Sequence, residues 1–193
     1  MSILVHACCG PCLGGSAPEL RRQHDSLLLF WENFNIHPFL EYRSRLEAFH
    51  RMAELLNLPV THGETGYGLE RFLQALKGGH GPTRCEICYR VRLESAATRA
   101  KDLGCEAFTT TLSISPYQKH DVLQTVGGEV AARVGVPFVY HDLRPFFLGT
   151  HGAARENNLY KQKYCGCIFS EFERYQNDPK HALPECCDDP HAT

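Results

Sequence analysis

The sequence predicts an α/β protein with a mainly parallel, doubly wound sheet and helices on both faces. Three observations carry that prediction. Strand-sized apolar runs alternate with segments of helical period, nothing repetitive or low in complexity interrupts them, and the stretches HACCGPC, TTTLSISPYQ and YHDLRP all fall at the carboxyl ends of predicted strands. The chain has 193 residues. That length suits one domain, expected over residues 1–175, followed by a polar, proline-rich and loosely ordered tail over 176–193.

The elements follow in order. ILVHA, residues 3–7, reads as a buried strand that ends at a cysteine-glycine-proline turn. A short helix should come next, started by a capping box of Ser16 and Glu19 with Pro18 in its first turn. DSLLLFWENFN reads as a second buried strand. YRSRLEAFHRMAELLNLP reads as an amphipathic helix with Leu46, Phe49, Ala53 and Leu56 on one face, ended by Pro59. A short third strand falls near PVTH, and GLERFLQALKGG is a helix stopped by its glycine pair. In TRCEICYRVRLESAATRAKDLG, Thr83 and Glu86 have capping-box spacing, and Leu93, Ala96, Ala100 and Leu103 mark the apolar stripe. AFTTTL is then a strand, HDVLQTVGGEVAARVG a helix, PFVYHDL a strand, and THGAARENNLY contains a short helix.

Composition excludes several classes. The apolar fraction is 43% and the charged fraction 22%, both ordinary for a globular protein. No apolar run approaches the roughly 20 residues of a membrane span. The start, MSILVHACC, has neither the basic opening nor the long apolar stretch of a secretory leader, so a cytoplasmic protein is expected. The net charge of −2 gives no general attraction for nucleic acid. A local patch of Arg155, Lys161, Lys163 and Arg174 is the exception, although such clusters are often simply solvated surface.

Ten cysteines in a reducing compartment argue for metal or redox chemistry rather than a disulfide framework. Seven fall into three groups: Cys8, Cys9 and Cys12; Cys85 and Cys88; Cys165 and Cys167. Cys85 and Cys88 share one helix face near its amino terminus, a position that favours thiolate over thiol. Cys165 and Cys167 flank a glycine, giving a turn able to wrap a large inorganic centre. These four thiolates suit a tetrahedral zinc site or an iron–sulfur cluster. The four ligands that close a structural zinc site leave three cysteines over, which favours two metal centres. His6 is a possible further ligand or a hydrogen-bonding residue behind the ligands. Cys105 reads as packing, and Cys186 and Cys187 as accessory ligands at most.

Five motifs, VHACCGPC, NFNIHPFLEYRSRLEA, RCEICYRVRLESAA, FTTTLSISPYQKHD and LYKQKYCGCIFSEFERY, resemble the QueH-type epoxyqueuosine reductases. They cover residues 3 to about 175 in matching order. Phe34 stands where proline is expected, and Cys12 occupies a position where that family can carry a carboxylate. The resemblance implies an oxidoreductase of a fold related to nucleotide-hydrolase-like (HUP) sheets, acting without cobalamin in tRNA queuosine biosynthesis. It implies a [4Fe-4S] cluster and an additional mononuclear iron, and the two-electron reduction of the epoxide of epoxyqueuosine in the tRNA anticodon.

On that basis Cys85, Cys88, Cys165 and Cys167 are expected to hold the cluster, and Cys8, Cys9 and Cys12 the second iron. Strand-end loops offer Tyr117, His120, Asp142 and Tyr164 as proton donors. Tyr117 has packing, and Asp142 an ion pair with Arg144, as the plainer alternative. Arg144, Lys161, Gln162 and Lys163 are candidate tRNA contacts. An external one-electron donor of ferredoxin or flavodoxin type completes the scheme. Two alternatives compete. A tRNA sulfur-inserting ATPase would need a glycine- and serine-rich phosphate loop where CCGPC stands. A zinc-stabilised RNA-binding module would explain the thiolates but not their number.

Overall fold

Strand β1 (Ser2–His6) pairs on both sides, which is why its apolar run is unbroken by polar residues until His6. The computed structural model describes residues 2–77, 81 and 83–181. Around β1 stand β2 (Ser26–Trp31), β3 (Val60–His62) and β4 (Ala107–Thr110) in the order β3-β2-β1-β4, all parallel. Val5 faces Leu29 on one side and Thr109 on the other, so the strands end nearly level.

Strand periodicity sorts the core into two layers. Ile3, Val5, Leu29 and Trp31 point to one face, where they meet Leu13 and Leu20 of helix α1 (Gly10–Gln23) and Phe49 of α2 (Phe39–Leu56). Leu4, Phe30 and Phe108 point to the other, against Leu93 and Ala96 of α4 (Arg84–Asp102) and Leu123 and Val130 of α5 (His120–Val134). Helix α3 (Leu69–Leu76) packs beside α4, while α6 (Phe147–Glu156) packs on α1 and α7 (Ile168–Tyr175) follows the last cysteine turn. Full burial of each large side chain contributes about 1.5–3 kcal/mol. The doubly wound prediction therefore holds.

Four local expectations change. Helix α1 starts at Gly10 and not at Ser16: Cys9 is its N-cap, its sulfur accepting from the Cys12 amide at 3.3 Å, and Pro11 occupies the first turn. Ser16 is buried inside the helix and Pro18 lies within it. Gly14 lets α6 approach, since a Cβ there would lie 2.7 Å from Ala153 Cβ. Thr83 is the N-cap of α4 but has helical backbone angles and makes no side-chain cap, so its box with Glu86 does not form. Leu103 falls beyond the helix and is 44% exposed. Finally, PFVYHDL does not become a strand. Only Phe138 bridges to Phe108, because Pro137 has no amide proton and the chain leaves the sheet after Val139. Cys186 and Cys187 lie outside the described residues.

Candidate metal centre

The end of β1 delivers the first cysteine group. Cys8 donates its backbone N–H to Thr111 Oγ1 at 3.0 Å, and that hydroxyl lies 3.2 Å from the Cys8 sulfur. Cys9 and Cys12 are fixed by the first turn of α1, which seats closely on α2: a Cβ on Gly10 would lie 2.2 Å from the Ala48 carbonyl oxygen. Cys9 and Cys12 are buried, and the three sulfurs all lie within 4.8 Å of one another. Hydrogen bonds from the Cys12 and Cys9 thiols lower the pKa of Cys8 well below an ordinary thiol. Burial raises Cys9, and the Cys8 and Cys9 sulfurs together with burial raise Cys12. The group is a compact set of sulfur donors that a thiophilic metal would deprotonate on binding.

Helix α4 brings the second group. Cys88 is buried, and burial pushes its thiol up to about 12. The third group sits on a turn held by other segments. Gly166 has φ +134°, and Cys167 is the N-cap of α7. Arg45 from α2, buried and paired with Glu41 at 2.6 Å, donates from Nη1 to the Cys165 carbonyl at 3.0 Å. Its Nη2 donates to the Tyr164 carbonyl at 3.1 Å. The His37 amide donates to the Gly166 carbonyl at 2.8 Å, and the Tyr164 hydroxyl donates to the His37 carbonyl. The NFNIHP motif is therefore the bed on which the cysteine turn rests.

A cavity of about 520 Å³ joins the groups and is lined by Cys8, Cys12, Cys85, Cys88, Cys165 and Cys167. Gln162 reaches from its wall, its Nε2 donating to Cys9 Sγ at 3.1 Å and to Cys12 Sγ at 3.5 Å. Gln118 Nε2 lies 3.6 Å from Cys165 Sγ, and its Oε1 accepts from the Tyr89 hydroxyl at 2.7 Å. Lys119, Lys161, Lys163 and Arg174 line the same cavity with Tyr117, Tyr164, Phe147 and His151.

The residues fit a bound inorganic centre. Thiol donors converge from three segments, and buried polar atoms around them have no partner among the described residues: both amide atoms of Asn35, Gln162 Oε1 and Arg92 Nε. Buried polar groups are normally satisfied, so these atoms mark room for a group that bonds them.

The other predicted residues divide. Tyr117 stands at the mouth, 85% exposed, and Tyr164 lines the wall with its hydroxyl committed to His37. His120 does not line the cavity; its Nδ1 contacts the Tyr140 hydroxyl at 2.6 Å and its Nε2 the Ser115 carbonyl at 2.9 Å. Asp142 and Arg144 also lie off the cavity and pair with each other at 2.6 Å. Gln162 contacts cysteine sulfur rather than facing outward as a nucleic-acid contact would. His6 is fully buried, bonded through Nδ1 to Thr110 Oγ1 at 2.8 Å, and burial lowers its pKa to about 3. Cys105 packs against the α4–α5 side of the core. Arg92, Arg45, Asn33, Asn35 and Thr111 were not legible as site residues. Only Arg92 carried a signal, standing one helical turn beyond Cys88 on the cysteine face.

Fold and site together define an α/β protein whose strand ends and helix starts enclose a thiol-lined cavity suited to metal and redox chemistry. A family model, "Epoxyqueuosine reductase QueH", matches residues 3–173. Curated relatives bear the same name. The one from Dehalococcoides mccartyi is 35% identical over 90% of this chain and 94% of its own length. The one from Thermotoga maritima is 33% identical over 94% of each. The Helicobacter pylori relative is 34% identical over 94% of this chain, which spans 55% of that longer protein. The chain belongs to the QueH family of epoxyqueuosine reductases, which are oxidoreductases. Among the described residues no helix is long and apolar enough to cross a membrane.

Proposed function

We propose that this chain reduces the epoxide of epoxyqueuosine in a tRNA anticodon to the cyclopentene of queuosine. One observation carries the reading beyond the family: six cysteines from three distant segments line one cavity whose wall also bears lysines and aromatic rings. A zinc-stabilised RNA module has no use for so many thiols. The reaction takes two electrons and two protons and releases the epoxide oxygen as water. Electrons would come singly from a ferredoxin or flavodoxin.

Cys85, Cys88, Cys165 and Cys167 would hold a [4Fe-4S] cluster, and Cys8, Cys9 and Cys12 an additional iron. When bound, these centres supply the electrons and a Lewis-acid position for the departing oxygen. The protein's own groups do the rest. Thr111 and Gln162 fix the sulfurs of Cys8, Cys9 and Cys12, and Arg45 fixes the carbonyls of the last turn. Lys119, Lys161, Lys163 and Arg174 meet phosphates and base edges around the mouth, and Tyr117 and Phe147 offer rings to an unstacked base. Of the four candidate proton donors, Tyr117 fits best, since it lines the cavity with its hydroxyl open to solvent. His120, with both ring nitrogens engaged away from the cavity, and Asp142, held by Arg144, fit worst.

The test is anaerobic reconstitution with iron and sulfide, followed by assay on tRNA containing epoxyqueuosine. The expected product is a nucleoside lighter by one oxygen, formed by a brown protein. An equally active protein containing zinc alone, or full activity in the Cys85→Ala/Cys165→Ala variant, would overturn the reading.

A further inference from the structure

Arg92 is 1% exposed, yet among the described residues no carboxylate pairs with it. It donates from Nη2 to Asn33 Oδ1 at 2.6 Å, a neutral acceptor, and its Nε is buried without a partner among the described residues. The contrast with Arg45 is direct, since that guanidinium is equally buried but has Glu41 at 2.6 Å. Burial of an uncompensated charge costs several kcal/mol, so a buried arginine implies an anion nearby.

The candidates for that anion are sulfurs. Arg92 lies four residues after Cys88 on α4, and helical spacing sets the two side chains on one face. Arg92 is in hydrogen-bonding contact with Cys88 and within electrostatic reach of Cys8 and Cys165, one cysteine from each group. Asn33 ties the same guanidinium to the end of the first strand, its Nδ2 donating to the Ala7 carbonyl at 3.0 Å, next to Cys8.

We propose that Arg92 is the shared counter-cation of the three cysteine groups and raises the reduction potential of the iron–sulfur centre they hold. This rests on the reading that the cysteines bind a cluster. Four thiolates around a cluster carry net negative charge, and adding an electron increases it. A fixed cation beside the sulfurs stabilises the reduced form more than the oxidised one, and hydrogen bonds to ligand sulfur act in the same direction. Arg92 touches neither substrate nor reacting atoms in this scheme. It is a positioning and tuning residue, set where it can act on both metal centres.

The experiment is a dithionite redox titration, with mediators and EPR detection, of the reconstituted full chain and three variants. Arg92→Gln removes the charge. Asn33→Asp keeps nearly the same shape but neutralises Arg92 with a carboxylate. Arg92→Lys keeps the charge and loses the planar fork. A lower midpoint potential in Arg92→Gln and Asn33→Asp at unchanged cluster content, with Arg92→Lys closer to the parent, is the expected result. Should Arg92→Gln fail to fold or to take up iron, Asn33→Asp decides. Unchanged midpoints in the cluster-loaded Arg92→Gln or Asn33→Asp protein would overturn the role of Arg92 and leave the functional reading intact. A parent protein that takes up no cluster would overturn both.

Discussion

Replacing Gly166 with alanine should loosen the turn that carries Cys165 and Cys167. Gly166 has φ +134°, a region in which side chains other than hydrogen are strained. Holding alanine there costs about 1–3 kcal/mol. Space is short as well: the new Cβ would lie 3.1 Å from Asn35 Nδ2, 3.2 Å from Arg45 Nη1 and 3.2 Å from Ile36 Cγ1. Relief requires Arg45 to move, and Arg45 Nη1 also holds the Cys165 carbonyl. Overpacking of that kind adds about 1–3 kcal/mol, for a total of roughly 2–6 kcal/mol. With a urea m-value of about 2 kcal/mol/M, the unfolding midpoint should fall by about 1–3 M. Iron bound per chain after reconstitution should fall with it, since Cys165 and Cys167 flank the strained residue. A midpoint shift below about 0.3 M, together with full iron content, would refute the account of the turn.

Three further outcomes are expected. Arg45→Leu leaves the Tyr164 and Cys165 carbonyls and the Glu41 carboxylate without their partner, and should cost about 3–5 kcal/mol, read by urea unfolding; a loss under about 1 kcal/mol contradicts the clamp. Gln162→Leu removes the amide donor to Cys9 and Cys12 while nearly keeping volume. Metal competition with a chelator should show weaker binding at the first cysteine group, by about tenfold, and unchanged affinity refutes its role there.

The pH dependence follows chiefly from the two most strongly lowered histidines, His6, lowered to about 3, and His37, lowered to about 4, both mainly by burial. Lowered histidine values mean that the unfolded chain takes up protons first. Stability is then complete above about pH 6.5 and lost as pH falls toward the folded values, at up to about 1.4 kcal/mol per unit for each residue. Unfolding of the metal-free protein at pH 7.5 and 5 should show this loss, and His37→Phe should reduce it. An unchanged slope in that variant would contradict the assignment.

Much of the architecture was legible because it rests on period and punctuation. Alternating strand-sized and helical runs gave the parallel sheet, and the stripe of Leu93, Ala96 and Ala100 gave the buried face of α4. Local signals failed where tertiary contact outvoted them. Ser16 and Pro18 look like a helix start, but the sulfur of Cys9 caps the helix six residues earlier and α6 fills the space beside Gly14. PFVYHDL has strand composition, but Pro137 cannot donate, so a single bridge is all that forms.

The site divides in the same way. By itself the sequence determined the three cysteine groups and their resemblance to a reductase family, because thiols in that number and spacing have few other uses. Only the tertiary structure decided what surrounds them. Arg45 and Asn33 reach the cysteines from segments distant in sequence, and Gln162, which looked like a surface contact, turns inward to sulfur. His120 and Asp142, which looked like proton donors, and Arg144, which looked like a tRNA contact, are engaged away from the cavity. The physical reason is that a charge or an amide gains its role from the partner that desolvates or satisfies it. For Arg92 that partner is set by folding, which buries a guanidinium among three groups of sulfurs and gives it no carboxylate among the described residues.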